Sequence, residues 1–183
     1  MKNIKLLAGI FLILTAFTFS SCETEPIDSA INLDDFGNHT GGGGAGTFTA
    51  KIGSDVFNAQ QIIAQLSGSA FGPEINIVGM MPNGKSMSIQ LINPAVGTFT
   101  ANTNFETLLF FQYTEDLTGT NAFSSFNSVT STSAGTVTIT KYDVAAKKIS
   151  GTFSFTGYNS SSASNVRQIT EGIINNVTFT VAP

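Results

Sequence analysis

The sequence predicts an all-β fold over residues 46–183, either an antiparallel β-sandwich or a flattened β-barrel of about nine strands. Three observations predict it. Apolar and polar residues alternate through most of this region, as in strands that have one covered face. Polar turn sequences such as PNGK separate the alternating stretches, and most of the 16 phenylalanines alternate with Thr or Ser. This pattern is typical of a core built from the inward faces of strands.

Three hairpins follow from the alternation. The first is FTAKIGSDVFNA, which turns at residues 53–55. In the second, EINIVGMM and SMSIQLI are joined by PNGK, in which Asn-Gly accepts the positive φ angles of a tight turn. In the third, DVAAKK joins TVTITKY to ISGTFSF, and each of these two stretches places its apolar residues on a single face. We expect these hairpins to form the frame of the sheet.

The remaining segments give less regular patterns. TLLFFQY, residues 107–113, is apolar at both parities and is predicted to be a central strand covered on both faces. VTFTV, residues 177–181, is predicted as the last strand, with its valines and phenylalanine inward. AQQIIAQL, residues 59–66, fits a strand or a short helix, and its β-branched residues favour the strand. SSFNSVTSTSAG and NSSSASN are predicted to be loops.

The chain begins with the pattern of an export signal. Lys2 and Lys5 precede an apolar run that ends at Phe19, and two serines then lead to Cys22. The run is shorter than the roughly 20 residues of a membrane-spanning helix. The sequence around Cys22 resembles the lipobox of bacterial lipoproteins, in which the cysteine thiol receives a diacylglycerol. Residues 1–21 are therefore predicted to be a lipoprotein signal peptide, and Cys22 the site of the membrane anchor.

Residues 22–45 are predicted to be a tether, since they are acidic and then glycine-rich, with no strand or helix period. Without the signal peptide, 6 basic residues remain against 12 acidic ones. This balance provides no basic patch for nucleic acid. We expect an exported protein that is lipid-anchored to the cell envelope, at the outer membrane and with possible exposure at the cell surface.

Several stretches together resemble an uncharacterised family of small lipoproteins of the Bacteroidota type: FTAKIGSDVF, NGKSMSIQL, NPAVGTFT, TVTITKYDVAAKKISGTFSF and ITEGIINNVTF. The resemblance covers most of residues 46–181. Ile174 stands where that family is expected to have an aromatic residue, which fits a core position. The resemblance implies an exported lipoprotein of β architecture. It brings neither an activity nor functional residues.

The reactive side chains limit the chemistry. His39, the only histidine, lies in the predicted tether, so the folded domain cannot contain a Ser-His-Asp triad or a histidine-based zinc site. Its carboxylates are expected at turns and strand ends, where charges are simply solvated. Glu115 and Asp116 together fit either an acidic turn or the start of a calcium site, and the turn is the favoured interpretation. No cofactor and no metal site are predicted.

The predicted function is a non-enzymatic binding or interaction module whose partner is an envelope protein, a glycan or a lipid. Five residues are the candidate ligand contacts, because tyrosines at a surface and acidic loops bind partners: Tyr113, Tyr142, Tyr158, Glu115 and Asp116. An alternative is a β-barrel carrier of an apolar small molecule or lipid, suggested by TLLFFQY and by Met80, Met81 and Met87. A carboxylate-based glycan hydrolase is the least favoured hypothesis.

Overall fold

The computed structural model describes residues 46–159 and 161–182, in which every regular element is a β-strand. The prediction of an all-β domain is confirmed. The predicted signal peptide, the predicted tether, Cys22 and His39 lie outside the described residues. The strands of the described part are β1 (Thr47–Ile52), β2 (Asp55–Asn58), β3 (Gln61–Ser69), β4 (Gly72–Met80), β5 (Ser86–Ile92), β6 (Gly97–Thr100), β7 (Leu109–Thr114), β8 (Ala122–Ser124), β9 (Phe126–Asn127), β10 (Thr132–Ser133), β11 (Gly135–Asp143), β12 (Lys148–Asn159), β13 (Ser162–Thr178) and β14 (Thr180–Val181).

Most strands belong to one curled sheet that forms a half-barrel. Its order is β14-β3-β4-β5-β7-β8-β12-β13-β1-β2, and β11 pairs with both β12 and β6. The short strands β9 and β10 form a separate pair. The pairings are antiparallel except that β14 lies parallel to β3, where Thr180 is opposite Gln65. The sheet is therefore mixed and not purely antiparallel as predicted. Alternation of apolar and polar residues along a strand does not indicate the direction of the neighbouring strand.

The connection from β2 to β3 brings two distant parts of the sheet together. The Ala59 N–H donates to the Phe48 carbonyl of β1 (N···O 3.0 Å), and the Gln60 N–H donates to the Met80 carbonyl of β4 (2.9 Å). β1 and β4 are far apart in the strand order. Because residues 59 and 60 are adjacent in the chain, these two bonds bring β1 and β4 close together at this point, as the curl of the sheet requires.

The three predicted hairpins are confirmed as β1–β2, β4–β5 and β11–β12. Gly53 and Gly84 adopt positive φ angles of 60° and 87° in the first two turns, as tight hairpin turns require. The ambiguous segment at residues 59–66 is a strand. In β3, Ile62 and Leu66 are buried while Gln65 is exposed, so its period is two.

Three details of the prediction are wrong. β7 is central, since it pairs with β5 and β8, but it is covered on one face only, and Gln112 is exposed. The last predicted strand is split after Thr178, so Val181 is half exposed rather than inward, while Phe179 is buried as predicted. The Ser/Thr-rich segment 124–135 contains short strands, and β12 and β13 continue into NSSSASN. Strands of two or three residues are too short to show a period.

The inward face of the half-barrel is packed with aromatic rings. Phe48 stacks on Phe153 with centroids 5.2 Å apart, and Phe111 stacks on Phe155 at 4.8 Å. Phe111 also lies 6.1 Å from Phe153, so the two pairs form one continuous cluster. Ile174 is buried beside them in the same core, as expected for a core position. The phenylalanines next to Thr and Ser are mainly core residues because their strands present polar neighbours to the other face.

Candidate functional site

Tyr113 is not at the surface. It is 1% exposed on the inward face of β7, where its ring lies 6.1 Å from Phe123 and 6.5 Å from Phe57. Burial raises the pKa of its phenol to about 12, and the nearby Glu115 carboxylate adds to this rise. The expectation of a surface position is wrong because Tyr113 follows Leu109 and Phe111 at intervals of two, which places all three on the covered face.

Tyr142 and Tyr158 lie further out. Tyr142 is partly buried and stacks on Phe179 at 5.8 Å, and desolvation raises the pKa of its phenol. Tyr158 is in β12, opposite Ser124 on one side and Val166 on the other. Its side chain is partly exposed. Tyr142 and Tyr158 are thus both partly exposed, and Tyr142 packs against the core.

Glu115 forms an ion pair that ties two parts of the fold together. The Arg167 Nε donates to the Glu115 carboxylate at 2.7 Å, and both side chains are about two-thirds or more covered. The Arg167 guanidinium also lies 4.6 Å from the centroid of the Phe123 ring. These contacts connect the loop after β7 to the start of β13. Glu115 therefore has a structural partner. A ligand that bound the Glu115 carboxylate would have to compete with Arg167 for it.

Asp116 organises the loop between β7 and β8. Its carboxylate accepts from the Thr118 hydroxyl at 2.7 Å and from the N–H groups of Thr120 and Asn121 at 3.2 and 3.3 Å. The Thr118 hydrogen bond is the main cause that lowers the pKa of this exposed carboxyl. The arrangement is that of an acidic turn. Among the residues that the structure describes, no three His, Cys, Asp or Glu residues cluster closely enough to hold a metal ion.

The same loop presents an apolar residue that sequence analysis missed. Leu117 is 87% exposed, and its side chain lies against Gly84 in the β4–β5 turn. Together with Met80 and Met81 it borders an open groove of about 410 Å³, whose polar lining includes Thr114. Met87 does not belong to this surface, since it is buried in the core. The three methionines therefore do not form one group.

A second exposed apolar feature lies at the opposite end of β4. Phe71, in the β3–β4 turn, stacks on Phe105, in the loop before β7, with centroids 6.0 Å apart and planes 22° from parallel. The rings are 47% and 64% exposed. Both residues stand among turn formers, in SAFGP and TNFET. An isolated aromatic residue inside a turn sequence is the signal that would have identified them.

The family of the chain follows from comparison with known proteins. The family described as a domain of unknown function, DUF6252, matches residues 45–178. The chain belongs to this family. The DUF6252 match covers nearly all of the half-barrel, and it confirms the coarser part of the predicted resemblance, which is membership of an uncharacterised family. No curated protein matches the chain. No solved structure matches it either.

The DUF6252 domain thus has two ends with different surfaces. One end carries the Asp116 loop and the Leu117 groove, and the other carries the Phe71–Phe105 pair. Glu115 and Asp116, two of the residues predicted from the sequence, lie in the loop at the first end, and none of the predicted residues is Phe71 or Phe105. Whether any of the five candidate residues contacts a ligand stays a prediction. In the described residues no helix is long and apolar enough to cross a membrane.

Proposed function

We propose that this DUF6252 protein is exported, is anchored through lipid at Cys22 to the outer membrane of the cell envelope, and acts there as a non-enzymatic binding or interaction module. The anchor is supported by the sequence before Cys22, which combines a basic start, an apolar run and small residues. The tether predicted for residues 22–45 would give the domain reach from the membrane. The partner is an envelope component that the domain meets at that surface.

The observation that carries the binding role is the shaped, partly apolar surface around Leu117. Leu117 is 87% exposed and borders the same open groove as Met80 and Met81, and contiguous apolar surface rimmed by polar residues marks interaction sites. Here the backbone beneath it is fixed by the hydrogen bonds of Asp116, so little ordering entropy is lost when a partner binds. The groove beside it, of about 410 Å³, is large enough to receive apolar side chains of a partner. Tyr158 adds a second accessible contact.

The test is crosslinking on intact cells, followed by identification of captured envelope components. We expect the wild-type protein to capture a reproducible partner and Leu117→Arg to lose most of that capture. We also expect Tyr158→Ala to weaken the capture, because the partly exposed Tyr158 ring is the second proposed contact. Val129→Arg is the matched control, because Val129 is also an exposed apolar residue, at 75%, but lies in the β9–β10 turn. If the wild type captures nothing, or if Leu117→Arg captures as much as the wild type, the proposal is wrong.

The carrier alternative has less support. A carrier needs an apolar interior with room for its cargo, typically about 300 Å³ or more. Here Phe48, Phe111, Phe153 and Phe155 pack against one another at stacking distances across the inward face. The run TLLFFQY that suggested an apolar cavity contributes Phe111 to this packing. A bound lipid detected by native mass spectrometry of the purified protein would restore the alternative.

The hydrolase alternative is also weakly supported. Glycosidases need two carboxylates that face each other across a cleft. Glu115 is paired with Arg167, and the Asp116 carboxylate caps its own loop. Glu171 is paired with Lys51 at 2.8 Å, and Glu74 accepts from Gln90 at 2.8 Å. Hydrolysis of a glycan panel by the wild type, lost on Glu or Asp replacement, would contradict the non-enzymatic proposal.

A further inference from the structure

The Phe71–Phe105 pair is held in place by polar groups rather than by burial. Asn93 stands between the two segments with a positive φ of 55°. Its side-chain amide donates to the carbonyls of Phe71 at 3.2 Å and of Glu106 at 3.3 Å. Its own N–H donates to the Pro73 carbonyl at 2.7 Å. One asparagine therefore fixes the main chain beside both rings at once.

Each segment also has its own support. In the β3–β4 turn, the Ser69 hydroxyl donates to the Gly72 carbonyl at 2.7 Å and accepts from the Phe71 N–H at 3.2 Å. Gly72 has a φ of 123°, and a Cβ at this position would collide with the Asn93 side chain. Only glycine fits there, because both the backbone angle and the space exclude a side chain.

The second segment is a chain of asparagine turns. The Asn102 side-chain oxygen accepts from the Asn104 N–H at 2.9 Å, and the Asn104 side-chain oxygen accepts from the Glu106 N–H at 3.0 Å. The Asn102 amide donates to the Thr107 carbonyl at 2.9 Å and so closes the loop. Phe105 is at the tip of this loop and is 64% exposed. These hydrogen bonds fix the backbone of the loop, and the Phe105 ring that the loop carries stays exposed.

We propose that Phe71 and Phe105 form a stacking platform for a neutral, pyranose-containing glycan. A sugar ring presents C–H groups on one face and hydroxyls around its rim. The C–H face packs on exposed aromatic rings, while amide and carboxylate groups beside the rings bond the hydroxyls. The two rings are near-parallel, with planes 22° apart, and about half or more of each residue is exposed. The inference rests on the proposed binding role and names the ligand class for this second surface.

The charge around the platform disfavours anionic occupants. Segments 67–74, 92–97 and 101–108 contain Glu74 and Glu106 but no Lys or Arg. Anionic glycans and anionic lipid headgroups would be repelled rather than bound. A second copy of the chain would bring two acidic ends together. A neutral sugar carries no such cost and can use Glu106 as a hydroxyl acceptor.

The test uses the purified protein on a printed array of neutral β-glucan, α-glucan, mannan, xylan and galactan oligosaccharides. Uronic-acid and sulfated series are included as anionic probes. We expect binding to at least one neutral series and to no anionic series. Phe71→Ala and Phe105→Ala should each weaken that binding at least about tenfold, a loss of about 1.4 kcal/mol. Phe105→Trp should retain it or strengthen it.

Two further variants separate stacking from folding and from general apolar contact. Phe71→Leu keeps apolar bulk without a flat face, so it should fold normally and still lose binding. Val129→Ala removes an exposed apolar side chain from the β9–β10 turn and should leave glycan binding within about twofold. Unchanged melting temperatures by circular dichroism would show that each variant is folded.

The inference is wrong if no neutral series binds, or if binding survives replacement of both rings by alanine. It is also wrong if the rings instead mediate dimerisation or partition into lipid vesicles. This failure is distinct from failure of the binding role. A protein partner captured through Leu117 on intact cells, with no glycan bound at Phe71 and Phe105, would leave the proposed function standing and remove only the glycan platform.

Discussion

Replacement of Phe111 by alanine tests whether the half-barrel interior is a solid core. Phe111 is fully buried and stacks on Phe155 at 4.8 Å and on Phe153 at 6.1 Å. Truncation of such a ring removes its burial and leaves a cavity, which costs roughly 3–5 kcal/mol. For a domain of this size we expect the melting temperature to fall by about 10 to 20 °C.

The assay is urea unfolding followed by far-ultraviolet circular dichroism, because the chain has no tryptophan to report by fluorescence. Phe105→Ala is the matched control, since it removes the same ring from a position that is 64% exposed. We expect the control to cost less than about 1 kcal/mol. If Phe111→Ala cost no more than the control, the interior would not be close-packed, and the carrier hypothesis would gain support.

Three further predictions concern single positions. Gly79→Ala should destabilise the fold by about 1–3 kcal/mol, measured by the same urea titration, because the new Cβ would lie 2.5 Å from Phe48; unchanged stability would refute this close approach. The Tyr113 pKa of about 12 exceeds its ordinary value of 10.0, so the unfolded chain loses this proton first and stability should fall as pH rises from about 10 towards 12; Tyr113→Phe should remove that part of the loss, and an identical pH profile would contradict it. The lowered Asp116 pKa means that the loop is stabilised above the ordinary carboxyl pKa and loses this contribution as pH falls through the folded value; Asp116→Asn should weaken amide protection at the loop by hydrogen exchange, and unchanged protection would argue against the cap.

The regular hairpins could be predicted from sequence because their patterns are local. In β1–β2 and β4–β5, alternation and a glycine turn specify both the strands and their register. Ile149, Phe153 and Phe155 share the buried face of β12, as their spacing indicates. The parallel contact of β14 could not be predicted, since the direction of a neighbouring strand leaves no trace in the period of either strand.

The candidate site was harder to predict because exposure was inferred from residue type. Tyrosine was assigned to the surface, yet Tyr113 shares the parity of Leu109 and Phe111 and is buried with them. Phenylalanine was assigned to the core, yet Phe71 and Phe105 are exposed on loops. Residue type gives an average preference, whereas the register of a strand or the geometry of a turn decides the individual position.

The lipid-anchored binding module is tested most directly by native mass spectrometry of the protein extracted from its own envelope in mild detergent. We expect a chain that begins at Cys22 with the added mass of acyl chains, and a further bound mass that disappears in Leu117→Arg. A chain that carries no lipid, and whose bound mass is either absent or identical in the Leu117→Arg variant, would contradict the lipid-anchored binding module.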